Sequence, residues 1–117
     1  MFQEIPIKFK PRKGHEIDER LYQYTEELDI TFPIVVIRNE LYLVGSERLN
    51  IKLNANNNQL LVRVGGGYKN FEEHILAQNK FYQRMLVMHM IKSGESLEWV
   101  VEMLIAGKKI PNQLLDL

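Results

Sequence analysis

Three consecutive glycines, Gly65-Gly66-Gly67, stand between a strand-like run, LLVRV, and a helix-like run, NFEEHIL. Strand, glycines, helix is the order of many phosphate-binding loops, where bare backbone N–H groups cradle an anion at a helix N-terminus. The residues that would complete such a loop are missing. Tyr68, Lys69 and Asn70 follow the glycines, so there is no G-K-[ST] and no G-x-G-x-x-G. Glu72 and Glu73 fall in the first turn of the next helix, where they favour the helix dipole and repel a phosphate. With Asn70 as cap and Glu73 three residues on, the pattern resembles a capping box rather than an anion site.

Other reactive side chains are scattered. His15, His74 and His89 share no metal-ligand spacing, and the chain has no cysteine, so disulfides and thiolate zinc are excluded. His89 lies on an apolar helical face and reads as a core histidine. His74, among acids at a helix start, reads as exposed, and Met85, Met88 and Met90 read as core filler. The two C-terminal helical segments have the order of a helix-turn-helix. The second carries Glu98, Trp99 and Glu102 without Arg, Lys, Asn or Gln, and a recognition helix needs such donors. The expectation is a protein with no catalytic residue, no metal, no cofactor and no nucleic-acid partner.

The chain that must position these residues has 117 of them, 45% hydrophobic and 26% charged. That suits one domain with a real core. No apolar run approaches the roughly 20 residues of a membrane span, and MFQEIPIKFKPRKG lacks the apolar block of a signal peptide. The reading is therefore cytoplasmic, with no membrane partner. The formal net charge is zero, but it is unevenly spread. Residues 41–92 hold seven Lys and Arg against three Glu, whereas residues 15–40 hold two Arg against seven acids. A basic middle can meet an acidic partner, or be an ordinary solvated surface.

Periodicity supplies the elements. Residues 1–14 read as an extended basic tail. Ile17, Leu21, Tyr24 and Leu28 give an acidic amphipathic helix over 15–29. FPIVVIR, LYLV, RLNIKLN and LLVRV read as strands of an antiparallel sheet over about 32–64, with Asn39-Glu40 as a tight turn and NANNNQ as a polar loop. Leu60, Val62 and Val64 would face the core, and Lys52 and Arg63 would share the outer face of one hairpin. Asn70 and Ser96 would cap helices near 70–92 and 96–106, ended by Gly94 and Gly107. The predicted fold class is α+β, a small antiparallel sheet packed with helices, in one domain. The three glycines would let the chain leave a strand and turn sharply into the helix, or leave a bare patch for a partner. Gly66, the middle one, is then the position where valine should strain the backbone.

The order YLVGSERLNIKLNANNNQLLVRVGGGYKNFEEHI resembles the GAR (growth-arrest-specific-related) domain of spectraplakins and their relatives. Tyr42, Gly45 and Ser46 match its first strand pattern, and Leu49, Ile51 and Leu53 its apolar–basic strand. Val62-Arg63-Val64-Gly65-Gly66-Gly67-Tyr68 matches its hallmark, with tyrosine where tryptophan is usual. Phe71, Ile75 and Leu76 match the helix that follows. The resemblance covers residues 32–84. The family's usual cysteines are absent, QNKFYQR standing in their neighbourhood, so any metal-supported architecture does not carry over. The expectation is that no calponin-homology domain accompanies it, so actin cross-linking is not implied. What the resemblance implies is a non-enzymatic, microtubule-binding cytoskeletal protein, with 15–92 as the GAR-like domain and 93–117 as a C-terminal helix and tail. Arg48, Lys52, Arg63, Lys69, Lys80 and Arg84 are the candidate contacts to acidic tubulin, the three around the hallmark foremost. Gly65, Gly66, Gly67 and Tyr68 are the structural hallmark. A stable microtubule array such as the axoneme of a cilium is the implied setting. Two rival classes stay open: an adaptor in a larger assembly acting through its C-terminal helices, and an enzyme whose site the residues do not disclose.

Overall fold

The alternation of RLNIKLN is realised as the longest strand of a five-stranded sheet. The computed structural model describes residues 9–111. Helix α1 (Glu16–Glu27) precedes β1 (Ile34–Arg38), β2 (Leu41–Val44), β3 (Glu47–Asn54), β4 (Gln59–Val64) and β5 (Gly67–Asn70); helices α2 (Phe71–Ser93) and α3 (Leu97–Ala106) follow. The strands lie in sequence order and every neighbouring pair is antiparallel. The α+β expectation therefore holds, as one domain.

Short turns make this meander possible. Asn39 (φ 46°) with Glu40 joins β1 to β2, and Gly45 (φ 61°) with Ser46 joins β2 to β3. Asparagine side chains fold the β3–β4 loop on itself: Asn54 Oδ1 accepts from Asn56 N at 3.1 Å, and Asn57 Oδ1 from Gln59 N at 3.2 Å. One face of the sheet, presenting Tyr42, Leu49, Ile51, Leu60 and Val62, is buried. Leu21 and Tyr24 of α1 and Phe71, Ile75 and Tyr82 of α2 belong to the same core, with the Tyr24 and Phe71 rings 5.4 Å apart. A fully buried Ile51 or Leu60 stabilises the fold by about 1.5–3 kcal/mol relative to exposure. A helix cap contributes about 1 kcal/mol, so the sheet's inner face, not the caps, dominates.

The caps themselves are as expected. Asn70 Oδ1 accepts from Glu73 N at 3.1 Å, Ser96 Oγ accepts from Trp99 N at 3.2 Å, and Gly94 and Gly107 end their helices with left-handed φ near 70°. Leu97, Val100 and Val101 of α3 join the common core. Helix α3 packs against α2 and β3, and its terminal Gly107 lies beside the Arg48 guanidinium. Among the described residues no helix is long and apolar enough to cross a membrane.

Six expectations are corrected. The glycines do not lead into the helix. Gly65 and Gly66 are the two central residues of a β4–β5 hairpin in which Val64 pairs with Gly67, and the sheet runs on to Asn70 before α2 begins. Only Gly65 has positive φ, 63°, the II′ pattern that suits the right-handed strand twist. Gly66 lies outside the left-handed region with open space where a Cβ would stand, so valine there is not forced into strain. Val64, one pair from the turn, is 42% exposed rather than core. The 1–14 tail is not free throughout: Phe9 packs on the core and Arg12 is docked, while residues 1–8 lie outside the described residues. His74 is 3% exposed, and Met88, at 38%, is the exposed member of the methionine group.

Candidate functional site

The outer face of the β3–β5 hairpins carries the arrangement that most resembles a binding surface. Residues directly opposite on antiparallel strands share a face. Lys52 pairs with Leu61, and Arg63 with Tyr68; Leu61 and Arg63 are two apart on one strand, so all four project outward. The Lys52 Nζ lies 5.3 Å from the Tyr68 ring centroid and the Arg63 Cζ 5.5 Å, within cation–π reach. Tyr68 is 43% exposed, and both basic residues are exposed. Hydrogen-bonding reach from Lys52, then from Arg63, holds the Tyr68 hydroxyl below the ordinary phenolic range. The result is an exposed aromatic ring held between two cations, suited to an anionic partner with carboxylates and some apolar surface.

The remaining candidates are not part of this cluster. Lys69 pairs with Val62, a core residue, so its side chain belongs to the opposite side of edge strand β5. Arg48 pairs with the fully buried Leu43 and its guanidinium lies against Gly107 at the end of α3. That helix has no basic residue in its last turn, so Arg48 supplies the cation that the helix C-terminus favours. Lys80 and Arg84 are exposed on α2, away from the sheet's outer face. Gly65, Gly66 and Gly67 are exposed at the hairpin tip with nothing within 4 Å of a notional Cβ.

Two buried polar clusters went unseen in the sequence. Asp18 is fully buried, although on α1 it reads as one acid among several. Arg12 grips it with Nε at 2.8 Å, Nη2 at 3.0 Å and its backbone N–H at 2.8 Å, and the Tyr42 hydroxyl donates to the same carboxylate. Burial pushes the Asp18 carboxyl up, but hydrogen bonds from Arg12 and Tyr42 outweigh it, so the group titrates below its usual range. The second cluster sits below the β2–β3 turn. The Tyr82 hydroxyl donates to Glu47 Oε1, and His74 Nε2 is 3.2 Å from the same oxygen. His74 Nδ1 is buried without a partner among the described residues. Burial, then Glu47, drives the Tyr82 hydroxyl well above the ordinary range. A His–Glu pair has the parts of a general base, but a ring 3% exposed offers a substrate no approach. The pair fixes α2 to the sheet. Tyr42 and Tyr82 were legible as apolar positions; their acidic partners were not, because the contacts span 24 and 35 residues.

A cleft of about 420 Å³ opens between α1 and the β3–β4 loop, lined by Glu16, Glu19, Arg20, Gln23, Leu53 and Asn58 among others. Its cation is already engaged: Arg20 donates to Asn58 O at 2.9 Å and to Gln23 Oε1 at 2.9 Å, and stacks 4.2 Å from the Tyr24 ring centroid. Among the described residues no group of three or more His, Asp or Glu side chains is placed to hold a metal ion. Comparison with protein-family models, with curated proteins and with solved structures returns no match.

Proposed function

We propose that this protein is a non-enzymatic, microtubule-binding component of a stable cytoskeletal array, such as an axoneme, and that it meets acidic tubulin through the outer face of β3–β5. The observation that carries this reading is the convergence of Lys52 and Arg63 on exposed Tyr68. The pattern that resembles the GAR hallmark, Val62 to Tyr68, supplies two of those three residues. The excess of Lys and Arg in residues 41–92 gives the wider field the right sign for an acidic lattice.

Arg63 and Tyr68 would be the central contacts and Lys52 the third, with Lys69 reaching the lattice only if the edge of β5 also engages. Arg48, Lys80 and Arg84 take no part at this surface. The test is co-sedimentation with taxol-stabilised microtubules. Reversal of both Lys52 and Arg63 to glutamate should weaken binding by tenfold or more while the thermal melt stays unchanged. Undiminished binding of that variant would reject the surface, and no binding by the unmodified chain would reject the function.

A further inference from the structure

The chain has five tyrosines, and three of them, Tyr24, Tyr42 and Tyr82, are buried. The two exposed ones, Tyr22 (42%) and Tyr68 (43%), are equally accessible but sit in opposite surroundings. Tyr22 lies on α1, and hydrogen-bonding reach from Glu26, one helical turn on, pushes its hydroxyl above the ordinary phenolic range. Tyr68 stands between two cations, Lys52 of β3 and Arg63 of β4. Neither makes a salt bridge among the described residues, so both can receive a further anion.

These surroundings select the group that the Tyr68 oxygen can carry. A neutral group would leave both cations without an anion. A phosphate brings a charge of about −1.5 to −2 and three acceptor oxygens. That balances the two positive charges, with paired N–H donors from the Arg63 guanidinium and an ammonium from Lys52. On Tyr22 the same phosphate would be repelled by Glu26. Access favours Tyr68 as well. Its strand, β5, is the last of the sheet. A Cβ at Gly65, Gly66 or Gly67 would meet nothing within 4 Å, so the hairpin tip leaves room for a second protein to reach the ring.

We infer that Tyr68 is a phosphorylation site, accepting a phosphoryl group from a nucleoside triphosphate in the active site of a protein kinase, and that the phosphate then closes on Lys52 and Arg63. In the transfer the Tyr68 oxygen forms the new bond to the γ-phosphorus, and the bond from that phosphorus to the β-phosphate oxygen breaks. The phenolic proton passes to the kinase's base, and nucleoside diphosphate leaves. The product neutralises both cations of the face and should switch off attraction to an acidic lattice. That consequence rests on the microtubule reading, whereas the acceptor site and its two cations do not.

The test uses the full chain, ATP and a tyrosine kinase domain of broad specificity. Mass spectrometry should find at least tenfold more phosphate on Tyr68 than on Tyr22. In a second preparation phosphotyrosine is genetically encoded at position 68. Its phosphorus resonance should move when Lys52→Gln and Arg63→Gln are combined, with the thermal melt unchanged. The same pair of substitutions should leave phosphotyrosine encoded at position 22 unaffected. Phosphate mainly on Tyr22, phosphate on neither residue, or a position 68 resonance indifferent to loss of both cations would overturn the assignment. With microtubules, the chain phosphorylated at Tyr68 should bind at least tenfold more weakly than the unmodified chain. Undiminished binding would overturn the switch. Failure of the unmodified chain to bind would reject the microtubule reading alone, since the phosphate's position and its resonance are read without microtubules.

Discussion

Asp18 has no solvent access, and its charge is held by a guanidinium that reaches back from six residues earlier in the chain. Removing either partner has a different consequence. Arg12→Ala leaves a buried carboxylate without its counter-ion, and this should destabilise the fold by about 3–5 kcal/mol near neutral pH. Asp18→Asn removes the buried charge itself and leaves an arginine that is 35% exposed, so the loss should be nearer 2 kcal/mol, that of hydrogen bonds to a charged group. The pH response separates the two states of the site. In the native chain the Asp18 pKa lies below its unfolded value. Its stabilisation is then complete above about pH 4 and is lost as pH falls through the lower, folded value. In Arg12→Ala burial, the Tyr42 hydrogen bond, the backbone N–H of residue 12 and His15 Nδ1 at 3.3 Å remain, and with desolvation dominant the folded pKa should rise above the unfolded one. That variant should gain stability as pH is lowered from 7 to 4, whereas the native chain gains none from this group. Urea midpoints across pH 3–7 give both slopes, and a parallel decline in both chains would show that Arg12 does not govern Asp18.

Glycines at two of the sheet's four hairpin turns have unequal duties. Gly45 combines positive φ with contact against Tyr82: a Cβ there would stand 2.6 Å from the Cβ of Tyr82. Gly45→Ala should therefore cost more than about 2 kcal/mol, from overpacking and left-handed strain together. At the β4–β5 turn only the backbone matters. Gly65→Val should cost about 1–2 kcal/mol because its φ is 63°. Gly66→Ala should stay within about 0.5 kcal/mol of the native chain. Thermal denaturation of the three variants orders them, and equal losses at Gly65 and Gly66 would mean the turn is not the II′ hairpin described. Sequence alone disclosed much at this scale. The period-two alternation gave Leu49 and Ile51 their face, and Asn70 and Ser96 announced their helices, because caps and pleat are local. The fifth strand was hidden. Gly67 to Asn70 is four residues with one aromatic, too short for a period, and only pairing with Val64 to Leu61 makes it a strand. The same hairpin brings Tyr68 to Arg63, so the place of Tyr68 in the candidate site was invisible until that pairing was known. Lys52 and Arg63 on a common face, by contrast, followed from register.

Across the whole molecule, zero net charge means that any attraction to an acidic lattice comes from how charge is arranged rather than from its sum. The Lys52–Arg63–Tyr68 face is exposed, and exposed charges are screened over about 8 Å at physiological ionic strength. If the proposed surface meets a microtubule, binding should accordingly weaken steadily as salt rises, through slower association more than through faster release. The Tyr68 ring contributes differently, since its apolar surface is not screened. Tyr68→Ala should lower affinity while keeping the salt slope, and the Lys52→Glu, Arg63→Glu pair should lower affinity and flatten the slope. A charge-matched control is available at Lys108 and Lys109, which follow α3 and lie outside the sheet. Reversing both leaves the molecule with the same net charge as the hairpin variant. If net charge governed binding, the two double reversals would lose equally. If the face governs it, the control should keep binding within about twofold and retain the native salt dependence, and loss confined to the control would move the contact to the C-terminal end of the chain.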